Sequence, residues 1–143
     1  MKVFWSWQSD TLGKIGRHFV RAALVEAIEV LKAPKEIEEP LEREAREALE
    51  IDHDRRGVSG SPDLARTIFD KIEAAAVFVA DVTIVGSSLA MNPETKRPRK
   101  LINSNVAIEY GFAEHAIGDR KILLVQNVHF GDRNDLPFDL KHK

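Results

Sequence analysis

Apolar residues begin almost at the amino terminus: Val3, Phe4, Trp5 and Trp7 form an aromatic run that breaks into Gln8-Ser9-Asp10. That pattern predicts a short strand whose carboxyl end spills into a loop. Over residues 13–32 the spacing turns helical. Ile15, Phe19, Ala22, Ala23, Ala27, Val30 and Leu31 recur mostly at i, i+4, i+7, and Pro34 stops the run. Residues 35–50 are rich in glutamate and punctuated by Pro40, which predicts a solvated surface helix leading to a small strand near 49–52. A polar, glycine-punctuated loop follows. Ser61 and Pro62 read as the N-cap and first position of a helix reaching about residue 73, with Leu64, Ile68 and Ile72 on its buried side.

Residues 74–82 are apolar almost throughout and end in Asp81, as expected of a strand covered on both faces of a parallel sheet. The stretch 84–103 carries Gly86, Ser87, Ser88, Pro93 and the basic cluster Lys96-Arg97-Pro98-Arg99-Lys100, and is expected to be a long irregular loop. A helix over 105–117 closes at Gly118, a buried strand spans 121–127, and 131–140 is expected to be loop feeding a last edge strand. Strands alternating with helices specify an open α/β sheet. Right-handed crossovers narrow it to flavodoxin-like or Rossmann-like strand orders, in which ligands bind outside the carboxyl ends of the strands.

The length of 143 residues sets an expectation of one domain over 1–143, and the chain breaks off at Lys141-His142-Lys143 as an excised piece of a longer protein would. The absence of cysteine excludes disulfides, thiolate metal sites and a cysteine nucleophile. With 21 Lys+Arg against 23 Asp+Glu the chain lacks the basic field of a duplex-DNA binder, so nucleic acid is not an expected partner. No apolar run reaches the roughly 18 residues of a membrane span, and the early strand leaves no room for a signal peptide. A cytoplasmic location without membrane contact is the expectation. The five histidines show no metal-ligand spacing, so no metal is expected.

Polar residues at the predicted strand ends are the candidates for chemistry. The first strand supplies Ser6, Trp7, Gln8, Ser9 and Asp10; the second Asp52 and Asp54; the third Asp81 and Thr83; and the helix after it Asn103, Asn105 and Glu109. Asn105 and Glu109 are i, i+4 and share a helix face. Near a helix N-terminus the ionised form of Glu109 is favoured, and such a carboxylate can stabilise an oxocarbenium-like centre. It can equally be an exposed residue balancing the helix dipole. Asp81 either caps a neighbouring loop or meets a ligand, Ser9 and Asp10 either cap the first helix or line a pocket, and Asp52 with Asp54 either forms a turn or holds a ribose diol. No dinucleotide fingerprint, Walker A motif or nucleophile elbow is present.

Phe4-Trp5-Ser6-Trp7-Gln8-Ser9-Asp10, Val77-Phe78-Val79-Ala80-Asp81-Val82-Thr83, and Asn103 to Ala113 with its Asn-x-Asn-Val-x-x-Glu-x-Gly start together resemble bacterial TIR-like proteins. These are related to the nucleoside 2-deoxyribosyltransferase-like group. The resemblance implies a flavodoxin-like three-layer α/β/α sandwich with a four- or five-stranded, mainly parallel sheet. It implies an NAD+ nucleosidase that cleaves the nicotinamide–ribose bond, with NAD as substrate rather than cofactor, in a bacterial setting of antiviral defence. Glu109 would be the catalytic carboxylate, Asp81 and Asn105 would position the ribose, and Ser6 to Asp10 would line the base pocket. The loop 53–61 would help assembly and gate the site, and self-association would accompany activity. A non-catalytic nucleotide-binding module and a deoxyribosyltransferase-type enzyme are the alternatives.

Overall fold

A computed structural model describes residues 1–34, 39–53 and 64–143. In chain order the elements are β1 (Lys2–Ser6), α1 (Arg17–Lys32), α2 (Pro40–Glu47), β2 (Glu50–Asp52), α3 (Leu64–Glu73), β3 (Val77–Asp81), β4 (Ile84–Met91), β5 (Pro98–Ile102), α4 (Ser104–Ile117), β6 (Ile122–Val125) and α5 (Phe138–Lys141). Four strands form one parallel sheet in the order β2-β1-β3-β6, and β4 pairs with β5 in a small antiparallel hairpin. The two central strands β1 and β3 are buried along nearly their whole length, because both of their faces are covered. Their register pairs Phe4 with Phe78 and Trp5 with Val79.

Alternation along the strands divides the core in two. Phe4, Phe78 and Ala80 face α3 and α4, where Ile72, Val106, Tyr110 and Ala113 are buried against them. The Phe4 and Phe78 rings stack at 5.8 Å, and Phe69 of α3 stacks on Phe112 of α4 at 4.3 Å. Val3, Trp5 and Val79 face the opposite way and meet Val20, Leu24 and Ile28 of α1. The chain is thus an α/β protein with helices on both faces of the sheet.

Three expectations change. The stretch 84–103 is the β4–β5 hairpin rather than an irregular loop. Its turn is built by Asn92, whose side chain accepts from the Glu94 and Thr95 amides, and by Lys96 at a φ of 54°. Both faces of the hairpin are largely exposed beyond Ile84, so no alternation of apolar and polar residues marks it in the sequence. Residues 131–140 form no edge strand. A capping box between Asp132 and Asp135 starts a 3₁₀ turn instead, and α5 then turns Leu140 into the core beside α4. On α3, Leu64 is exposed and only Ile72 is fully buried. The Ser61-Pro62 helix start, Asp54 and all of the 53–61 loop except His53 lie outside the described residues.

Candidate functional site

The order β2-β1-β3 reverses direction at β1, and the crevice between the carboxyl end of β1 and the start of α4 is the place such sheets offer a ligand. A pocket of about 180 Å³ lies there, lined by Trp5, Ser6, Trp7, Gln8, Ser9, Asn103, Asn105 and Glu109. Two loops meet to make it. Asn103 is the N-cap of α4, accepting from the Asn105 and Val106 amides at 2.9 and 3.1 Å, and its Nδ2 donates to Asp10 Oδ2 at 2.7 Å. That bond ties the α4 N-terminus to the loop after β1.

Gln8 fixes the loop from inside. Its Oε1 accepts from the Asp10 and Thr11 amides at 2.6 and 3.0 Å. Its Nε2 donates to Thr11 Oγ1 at 2.8 Å and to Asp81 Oδ2 at 3.3 Å. A buried amide so fully engaged shapes the pocket wall and keeps little capacity for a ligand. By contrast, Trp5 Nε1 and Ser6 Oγ, of two residues that help line the pocket, are buried without a hydrogen-bond partner among the described residues. Buried polar atoms are ordinarily paired, so these two are exceptions, and both are closed off from solvent.

The rotation of α4 sets where Glu109 stands. Val106, Tyr110 and Ala113 are buried, which leaves Asn105 and Glu109 together on the flank facing the β1 loop. Burial, assisted by the Glu114 carboxylate, pushes the Tyr110 hydroxyl up to about 12, so Tyr110 is a neutral core residue at physiological pH. Trp7 closes the far side, with the Arg17 guanidinium 5.3 Å from its ring centre and the Trp5 ring 6.3 Å away.

The other candidates are placed elsewhere. Asp81 is almost completely buried, and its carboxylate accepts from Gln8 Nε2 and from the Thr83 amide at 3.1 Å, so it caps its own strand end. Thr83 Oγ1 accepts from the Asn127 amide at 2.9 Å. Asp81 and Thr83 border a different hollow, between α1 and β6. Asp52 ends β2 and is held by Lys71 at 3.1 Å, Lys2 at 3.6 Å and the His53 amide at 2.8 Å. Burial alone would raise its pKa, but the hydrogen bonds from Lys71 and the His53 amide, with the charges of Lys71 and Lys2, hold it below the usual carboxylate range.

Sequence reasoning left Trp5 out of its candidates, whereas the residue is both core and part of the pocket lining. It gave no sign of Lys71, because a partner reaching across from α3 to the end of β2 leaves no local spacing to read. Among the described residues no group of three His, Asp or Glu converges as a metal site, and no helix is long and apolar enough to cross a membrane. No protein-family model matches the chain, and no curated protein matches it.

Proposed function

We propose that this chain is a TIR-like NAD+ nucleosidase of flavodoxin-like, three-layer α/β/α architecture, with Glu109 as its catalytic carboxylate. The observation that carries the reading is the convergence of Glu109, Asn105, Ser9 and Trp7 in one small pocket at the sheet's reversal point. The pocket, at about 180 Å³, suits a pentose, with the remainder of a dinucleotide outside it. Trp7 at its edge offers an aromatic face to a base.

In this reading the Glu109 carboxylate faces the anomeric carbon as the C1′–N bond breaks, and the bonding pair leaves with nicotinamide. Water then adds to the cationic carbon and loses its proton to solvent or to Glu109. Asn105 would hydrogen-bond the ribose hydroxyls. Asp81 and Asp52 are spent on internal partners, and Glu109 is the carboxylate lining this pocket among the described residues. A neutral base needs an acid to protonate it as it leaves, whereas nicotinamide in NAD+ departs as a neutral molecule without one. A single carboxylate therefore favours NAD+ over transfer between neutral bases.

Chromatography of NAD+ incubated with concentrated protein tests the proposal. Wild type should release nicotinamide, and Glu109→Ala and Glu109→Gln should each lower the rate by about 100-fold or more. Nucleotide binding without release, in wild type and both variants alike, would replace the enzyme with a non-catalytic binding module.

A further inference from the structure

The β4–β5 hairpin takes no part in the candidate pocket, and its surface is unlike that of the rest of the chain. Ile84 and Ile102 anchor its root in the core, and beyond them the two strands pack chiefly on each other. By strand rise the ribbon reaches roughly 20 Å from Ile84 to its turn. Residues 84–102 carry Lys96, Arg97, Arg99 and Lys100 against Glu94 alone, a net charge of +3 on a chain whose net charge is -2. All four cations are exposed, and among the described residues none has a carboxylate partner. The turn that presents them is held by the Asn92 amide donating to the Arg97 carbonyl at 2.8 Å and the Lys96 amide donating to the Asn92 carbonyl at 2.9 Å. Aliphatic side chains stand among these charges. Ser87 pairs with Lys100 and Met91 with Pro98, the ladder is irregular between those pairs, and Leu89 lies in the irregular stretch. Leu89 is fully exposed, Met91 is 58% exposed and Leu101 45%. Cations keep an exposed ribbon from pairing with other chains, which accounts for the lysines and arginines. It does not account for large apolar side chains left in water beside them.

We infer that the hairpin docks tip-first on an anionic lipid bilayer, with Leu89 and Met91 entering the acyl boundary and Lys96, Arg97, Arg99 and Lys100 meeting the headgroup anions. Either signal alone is a weak anchor, and stable peripheral attachment takes two. Basic side chains feel the negative surface potential only within about a Debye length, roughly 8 Å at physiological salt. The body of the chain carries the negative balance, and the length of the ribbon holds it beyond that distance. Attraction therefore acts at the tip while repulsion of the body is screened. The near-neutral charge of the whole chain hides this segregation, because a surface meets the folded ribbon and not the chain average. Nucleic acid is the other polyanion that a basic ribbon meets. Residues 84–102 contain no aromatic side chain on which a base could stack, and phosphate contacts alone leave Leu89 and Met91 in water. A bilayer uses both the charged and the apolar part of the surface. The inference is independent of the nucleosidase reading, since none of these residues lines the pocket.

Co-sedimentation of the full chain with sucrose-loaded vesicles tests this. Vesicles of phosphatidylcholine rich in phosphatidylserine should bind the wild type, and vesicles of phosphatidylcholine alone should not. Arg97→Gln and Lys100→Gln should each weaken binding about fivefold. Leu89→Ser should weaken it about tenfold. All three positions are exposed, and native circular dichroism checks that each variant is folded. On the anionic vesicles, hydrogen exchange around 87–97 should slow while that of β1 and β3 stays as it was. A wild type that fails to bind phosphatidylserine vesicles even at low salt overturns the inference. So does binding that Leu89→Ser leaves unchanged. Fluorescence anisotropy with a labelled DNA duplex and a labelled single-stranded RNA supplies the other arm. Binding to either one in preference to the anionic vesicles would also overturn it and make the hairpin a nucleic-acid contact.

Discussion

Asp52 and Asp81 stand at equivalent places, the carboxyl ends of parallel strands, and both are consumed by donors of the protein itself. What separates them from Glu109 is depth: both are buried, whereas Glu109 is half-buried at the pocket, and a carboxylate taken out of water must be matched inside the fold. For Asp52 the match is chiefly Lys71, itself mostly buried. Because the folded pKa of Asp52 lies below the free value of about 3.9, its stabilisation is complete above that pH and is lost as pH falls through the folded value. Lys71→Met should cost about 2 kcal/mol in urea unfolding at pH 7. It should also raise the pH midpoint of acid unfolding, and the deficit relative to wild type should shrink below about pH 4 as Asp52 protonates in both proteins. An unchanged acid midpoint would mean that Lys2 and the His53 amide suffice to hold Asp52.

Among the elements, α4 was the most legible in the sequence, and its start carries the site. Its apolar stripe places a helix over 105–117, while Asn103, a ligand candidate in the sequence, is the N-cap with two capping bonds. Asn103→Ala should lower stability by about 1 kcal/mol, and Asn103→Ser should recover most of that loss, both read by chemical denaturation. The bond to Asp10 is the part that no local pattern could announce, since it joins residues far apart in the chain. The β4–β5 hairpin was illegible for a different reason. A ribbon exposed on both faces has no buried side to impose a period of two, and its residues read as loop. In α1 the apolar spacing did announce a helix, but the arc is wider than the surface beneath it. Part of the stripe is therefore exposed in the single chain.

At the scale of the whole molecule, stability is unevenly distributed. β1 and β3 lie between helices, while the hairpin beyond Ile84 and Ile102 packs chiefly on itself. Hydrogen exchange should therefore be slowest in β1 and β3 and fastest around the 87–97 tip, as mass spectrometry of peptic fragments would read. Uniform protection across the hairpin and the sheet would contradict that distribution. The sequence alone determined the parallel sheet, its order of alternating strands and helices, and the segments that bear polar residues at strand ends. These follow from hydrophobic periodicity and local capping, which act within a few residues. Only the tertiary structure decided which of those polar residues share a pocket. Gln8, Asp52 and Asp81 proved to be engaged within the fold, while Glu109, Asn105 and Ser6 came together. The physical reason is that strand order and helix rotation are set by long-range packing. Whether a carboxylate ends inside the fold or at a pocket depends on that packing.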